Sequence, residues 1–170
     1  MELVRRAHQI LQEQHAMLDC PWLESYDWAN FSHSIRHVLE GGSVLLCVDT
    51  ERLWFKHYVF AHLNAQKLRP LVPIVDGLSG FASLLQDTQE FSLIRHLLDL
   101  TYQNYIFWYV GKEGVLSELI SSKDHFLWLL DGPGALLSSL DPMCDLKLLQ
   151  FYKVFENILF ESLLGKLALK

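Results

Sequence analysis

Three aspartates, Asp49, Asp76 and Asp131, each fall at the end of a predicted β-strand. Gathered at the carboxyl edge of one sheet, they could do acid–base work. An aspartate in that position more commonly caps the helix or turn that follows, and capping is the reading we expect. His33 and His37 lie four apart on a predicted helix, the spacing that aligns two imidazoles for zinc. No H-E-x-x-H forms and no third ligand is near in sequence, so solvated or hydrogen-bonded helix histidines are expected. His57 and His62 are five apart and do not align. Gly77-Leu78-Ser79-Gly80 places a serine among glycines, but the G-x-S-x-G spacing of a nucleophile elbow is not met. A loop after the second strand is the expected role of that segment.

A dinucleotide site needs glycines after the first strand, because only glycine lets the backbone approach a pyrophosphate. The loop here reads Asp49-Thr50-Glu51-Arg52, with two carboxylates that would repel phosphate. Gly41-Gly42-Ser43 precedes the strand and lies at the wrong end. No G-x-x-x-x-G-K-[ST] loop occurs either. We therefore expect no catalytic residue, no cofactor and no metal.

The elements that would position these residues follow from periodicity. Leu3, Val4, Ala7, Ile10 and Leu11 form one stripe of a first helix, which Cys20-Pro21 breaks. Trp28, Phe31, Ile35, Val38 and Leu39 line a second helix, ended by Gly41-Gly42. Ser43–Asp49 is a continuous apolar run, the mark of a strand covered on both faces. A helix from about Glu51 to Asn64 follows, with Asp49 or Thr50 as its cap. Leu71–Asp76 is the second strand; Pro73 removes a ladder donor and puts this strand at or near a sheet edge. Asp87 with Glu90 starts a helix running to about Leu100 in the manner of a capping box. Tyr105–Gly111 is the third strand, 112–122 a short helix, and His125–Asp131 the fourth strand. Ala135–Leu140 is a candidate fifth strand, and a long helix spans about 145–165.

Strands alternating with helices imply right-handed crossovers and a parallel sheet. The expected fold is α/β, a three-layer Rossmann-like parallel sheet of four to five strands flanked by helices, with two helices in front of it. One domain is expected over residues 1–170, with the N-terminal helices in 1–42 and the alternating part in 43–170.

Half the residues are hydrophobic and aromatics are frequent, which suggests that some apolar surface is covered by a partner. No stretch is long and apolar enough for a membrane helix, and no signal peptide is visible. Cys20, Cys47 and Cys144 are odd in number and never paired as C-x-x-C, which fits a reducing, cytoplasmic setting. The net charge is −6 without a run of Lys or Arg, so direct nucleic-acid binding is not expected.

Aromatic side chains near helix ends are the candidate partner contacts, since such residues are typical interface hot spots. Trp54, Tyr58 and Tyr102 stand first, followed by Phe151 and Phe155 on the final helix. That helix is apolar over most of its circumference and must be buried on more than one side.

Several short motifs occur together and in order: His37–Ser43 leading into the first strand, Trp54-Phe55, Arg69-Pro70-Leu71-Val72-Pro73 with Asp76, and Thr101-Tyr102-Gln103-Asn104. Phe107–Lys112, Phe126–Leu129 and Phe155-Glu156-Asn157 complete the set. With these the chain resembles the HobA family of bacterial regulators, which bind the replication initiator DnaA. The resemblance implies a fold like that of sugar isomerase (SIS) domains and a homotetramer. It also implies binding to the N-terminal region of DnaA and promotion of initiation-complex assembly at the origin. A phosphosugar-binding or isomerase protein of SIS type is the alternative. The loops after the strands lack the hydroxyl-rich phosphate cradle of such enzymes, and Lys112 alone could meet a phosphate.

Overall fold

The structure, a computed structural model, describes residues 2–13, 26–81, 90–132 and 135–169. The Cys20-Pro21 helix break and the Asp87 half of the expected capping box lie outside the described residues.

Helix α1 (Glu2–Glu13) buries Ala7, Ile10 and Leu11 on one side, as its stripe requires. Helix α2 (Trp28–Leu39) starts where the Asp27 carboxylate accepts the Ala29 and Asn30 amides, both at 3.1 Å. It ends at Gly41, whose φ of +84° is a left-handed C-terminal cap. Gly42 follows for a steric reason. A Cβ there would come within 2.1 Å of the His37 ring, which is held by its Nε2 bond to the Ser43 carbonyl at 3.1 Å. His37 is therefore a packed and hydrogen-bonded histidine.

Strand β1 (Ser43–Val48) pairs in parallel with β2 (Ile74–Val75) on one side and with β3 (Tyr105–Lys112) on the other. β3 then pairs in parallel with β4 (His125–Leu130), giving the order β2-β1-β3-β4. The expected parallel α/β sheet is present with four strands. β2 lies at the edge, but it spans two residues rather than Leu71–Asp76. Pro73 contributes only its carbonyl, which accepts the Val44 amide at 2.8 Å. The expected fifth strand at Ala135–Leu140 is a single bridge between Leu130 and Leu137. The Asp131 carboxylate turns that segment aside by taking the Ser139 amide and hydroxyl.

A 3₁₀ turn (Thr50–Arg52) leads from β1 into α3 (Leu53–His62). Helix α4 (Phe91–Thr101) precedes β3, and the short α5 (Val115–Ser121) joins β3 to β4. The chain closes with the twenty-residue α6 (Cys144–Leu163).

The sheet divides two cores. On one face Leu46, Ile106, Trp108, Val110, Phe126 and Trp128 meet α1, α2, α3 and α6. On the other, Leu45, Cys47, Phe107 and Tyr109 meet α4 and α5. Helix α6 is buried around most of its girth because the sheet lies on one side and α1 on another. The Arg6 guanidinium of α1 clamps Glu161 of α6 through Nε at 2.8 Å.

Candidate functional site

In an open parallel sheet the ligand crevice opens beyond the carboxyl ends of two neighbouring strands whose connections leave to opposite sides. Here that point lies between β1 and β3. A crevice of 390 Å³ sits there, lined by Asp49, Thr50, Glu51, Tyr109, Lys112 and Glu113 among others. Several of its polar groups are tied to one another. Asp49 accepts the Arg52 amide at 3.0 Å and the Lys112 amide at 2.9 Å, so one carboxylate caps the turn after β1 and joins it to β3. Gly111 permits this approach; a Cβ there would stand 2.6 Å from Asp49 Oδ2, at a φ of +156°. The Tyr109 hydroxyl donates to the Lys112 carbonyl at 2.6 Å, and burial followed by the Asp49 charge pushes its phenol above the ordinary range. Glu51 pairs with Arg52 and with Lys112 Nζ, which hold its carboxyl below the usual value in that order of importance.

The other strand-end aspartates are used in the same way. Asp76 pairs with Lys56 at 2.7 Å and accepts the Ser79 hydroxyl, which answers for both groups. Burial raises the Asp76 carboxyl, but the Lys56 and Ser79 bonds outweigh it and the net shift is downward. Asp131 holds the Ser138–Ser139 turn. The three carboxylates thus act as caps and clasps, and Lys112, the one residue placed to meet a phosphate, is committed to Glu51. Among the described residues no group of three His, Cys, Asp or Glu is arranged to hold a metal ion. No described helix is long and apolar enough to cross a membrane.

The candidate partner contacts separate into three places. Trp54 and Tyr58 are half-buried on α3, where Trp54 meets Phe55 edge-on at 5.7 Å and Tyr58 meets Tyr152 edge-on at 5.7 Å. Tyr102 is half-buried against the opposite core, beside Tyr105 at the amino end of β3. Phe151 and Phe155 are corrected by the structure. At 0% and 3% exposure they are core residues of this chain, packed tilted or edge-on against Phe31, Phe126 and Trp128, and not surface rings. A helix buried on several sides gives no sequence signal for which of its aromatics remains accessible.

Sequence reasoning also missed a charge cluster beside Tyr58. Glu156 of α6 is buried, and its carboxylate takes Arg69 Nη1 at 3.3 Å and Lys153 Nζ at 2.7 Å. Arg69 stacks over the Phe160 ring at 4.4 Å, while Lys153 lies over Tyr58 and Tyr152 at 5.8 and 5.4 Å. Burial first, then the Glu156 charge, drives the Tyr152 phenol upward. Both partners stand in the motifs quoted above, Arg69-Pro70 and Phe155-Glu156, but nothing local announces that they meet.

The site is thus an open α/β sheet whose crevice groups are largely paired with one another, with half-buried aromatics on its outer surface. The model of the HobA family, described as DNA replication regulators, matches residues 2–169. The DNA replication regulator protein HobA of Helicobacter pylori is 37% identical over 177 residues, covering 99% of this chain and 95% of that protein. The crystal structure of a HobA–DnaA (domain I-II) complex from Helicobacter pylori superposes with a TM-score of 0.72 at 31% identity, covering 98% of this chain and 94% of that one. The crystal structure of HobA from the same organism gives 0.68 at 35% identity, with 98% and 95% covered. The chain belongs to the HobA family of DNA replication regulators.

Proposed function

We propose that this chain is a non-enzymatic, cytoplasmic adaptor that binds the N-terminal region of DnaA and promotes assembly of the initiation complex at the origin. The observation that carries the reading is the near full-length similarity to a HobA solved together with DnaA domains I-II. The crevice between β1 and β3 supports it, because Asp49, Glu51, Tyr109 and Lys112 there are bonded to one another or to backbone. The net charge of −6 suits a protein that acts on DNA through an initiator and does not grip it directly.

The working form in this reading is a homotetramer of a single domain. Several equivalent sites on one particle raise the effective concentration of bound initiator molecules without new contacts between them. Trp54, Tyr58 and Tyr102 are the proposed aromatic contacts. Calorimetric titration of this protein with DnaA (domain I-II) tests the proposal. A saturable transition fixed to the number of chains supports it. A flat titration with both proteins folded contradicts it.

A further inference from the structure

The two edges of the sheet are finished differently. An edge strand presents unpaired N–H and C=O groups to any extended chain, and proteins usually guard it with proline, with lysine or by keeping it very short. β2 is guarded in this way, with two residues and Pro73 just before them. β4 is not: His125–Leu130 runs for six residues without proline, lysine or arginine. The segment at 135–140, whose composition suggests a fifth strand, meets the last residue of β4 through the bridge between Leu130 and Leu137.

The free backbone groups follow from the alternation along the strand. On the β3 side, the Phe107 N–H donates to the Asp124 carbonyl at 3.1 Å. On the outer side, the Leu136 N–H donates to the Leu129 carbonyl at 2.8 Å, and the Asp131 N–H donates to the Leu137 carbonyl at 3.0 Å. With a period of two, the N–H and C=O of Leu127 face outward as well, and among the described residues they have no hydrogen-bond partner. Those two groups are where a further strand can bond.

Beside this edge a groove of 480 Å³ lies between α5 and β4, lined by Leu127, Leu129, Ser117, Ser121, Glu113 and Glu118 among others. Leu127 and Leu129 are half-buried, so part of each side chain remains to be covered. The Ser117 and Ser121 hydroxyls donate to carbonyls at 114 and 117, which leaves that wall small and its donors used. Glu113 and Glu118 are exposed and, among the described residues, make no ion pair. The nearby cations are committed elsewhere, Lys112 to Glu51 and Lys123 to Asp99. From Glu113 to Asp131 the sequence holds four carboxylates (Glu113, Glu118, Asp124 and Asp131) against Lys123 alone, a balance of −3.

We infer that the open edge of β4 takes up an extended basic segment of another protein as an added strand. Backbone bonds to Leu127 hold the segment, its apolar side chains cover Leu127 and Leu129, and its lysines or arginines meet Glu113 and Glu118. Charge selects the occupant. A second copy of this chain, meeting the edge in the two-fold manner, would bring the same acidic stretch against itself, whereas a basic segment meets attraction. This strand site goes beyond the adaptor reading and is separate from the Trp54 and Tyr58 contacts on α3.

The test uses the full chain and a labelled, end-capped peptide, Thr-Lys-Thr-Leu-Thr-Lys-Thr-Leu-Thr, which as a strand puts its lysines and leucines on one face. Fluorescence anisotropy is expected to show saturable binding that weakens as salt rises, and no binding by the same peptide with Glu in place of Lys. Glu113→Gln with Glu118→Gln, both exposed and checked by thermal unfolding, is expected to weaken binding about fivefold. Glu2→Gln with Glu40→Gln removes the same charge from exposed positions on α1 and at the end of α2, and its affinity stays at the wild-type value. Hydrogen exchange supplies the second readout: the Leu127 amide exchanges rapidly in the free protein and about tenfold or more slowly with peptide bound. A Leu127 amide already protected in the free protein overturns the inference, because the edge is then covered by this chain or by a second copy. Absence of peptide binding overturns it too, as does equal weakening by both pairs of substitutions, which would leave only general charge attraction. Each of these results leaves the adaptor reading standing, since DnaA (domain I-II) is titrated separately.

Discussion

Strand β1 feeds two regions that meet opposite fates. Its carboxyl end, facing β3, is where an open α/β sheet places a ligand, and most of the charged groups described there are paired with neighbours. Asp49 takes two backbone amides, Glu51 takes Arg52 and Lys112, and the Tyr109 hydroxyl is spent on a neighbouring carbonyl. The helix that β1 leads into, α3, packs its rings on β3, β4 and α6 and leads to the loop before β2, where braced backbone presents exposed apolar side chains to water. In this molecule the crevice carboxylates brace the backbone around them, while a peripheral edge carries exposed apolar side chains. Polar satisfaction and apolar exposure together locate where binding is left to happen.

Substitutions can separate the two regions. The largest effect is expected at Gly111, where alanine would force Cβ against Asp49 Oδ2 and hold a side chain at a φ of +156°. Gly111→Ala should cost roughly 2–5 kcal/mol in chemical denaturation, from strain and overpacking combined. A neutral result would mean that the crevice is looser than its bonds imply. Next, Trp54→Ala with Tyr58→Ala should weaken binding of DnaA (domain I-II) by about 2 kcal/mol or more. Lower stability with unchanged affinity would return both rings to a purely structural role.

Asp49→Ala should then cost about 1–2 kcal/mol of stability through loss of the cap and of the acceptor for Lys112 N–H. Its affinity for DnaA should be unaltered, and a selective loss of affinity would blur the division between the regions. The smallest effect concerns pH. The Ser139 hydroxyl, then its backbone amide, holds the Asp131 carboxyl below the ordinary range. Its stabilising contribution is therefore complete above the ordinary carboxylate value of about 3.9 and disappears as pH falls through the depressed folded value. Unfolding measured from neutral into acid pH should show a slightly shallower acid loss in Asp131→Asn than in the parent protein.

Much of the fold was legible in the residues. β1, β3 and β4 are apolar runs set off by polar or glycine residues, and each begins at its expected residue and ends within one of its expected end. Pro73 announced an edge strand, although not that loss of a donor would cut it to Ile74–Val75. The Ala135–Leu140 run had the composition of a strand. Its course is set by Asp131 reaching Ser139, a side-chain contact that composition does not encode.

The site was legible to a different degree. The three strand-end aspartates were readable as caps because aspartate in that position has short-range amides to serve. Phe151 and Phe155 were not readable as core, because an all-round apolar helix conceals which residue faces the sheet. The Arg69–Glu156 pair joins residues far apart in the chain, and only folding brings them together.

The most direct measurement of the central claim is light scattering on a sizing column, first with this protein alone and then with DnaA (domain I-II) added. The account predicts a tetramer that gains mass in steps of that DnaA region. A particle whose mass stays unchanged in the presence of DnaA would contradict it.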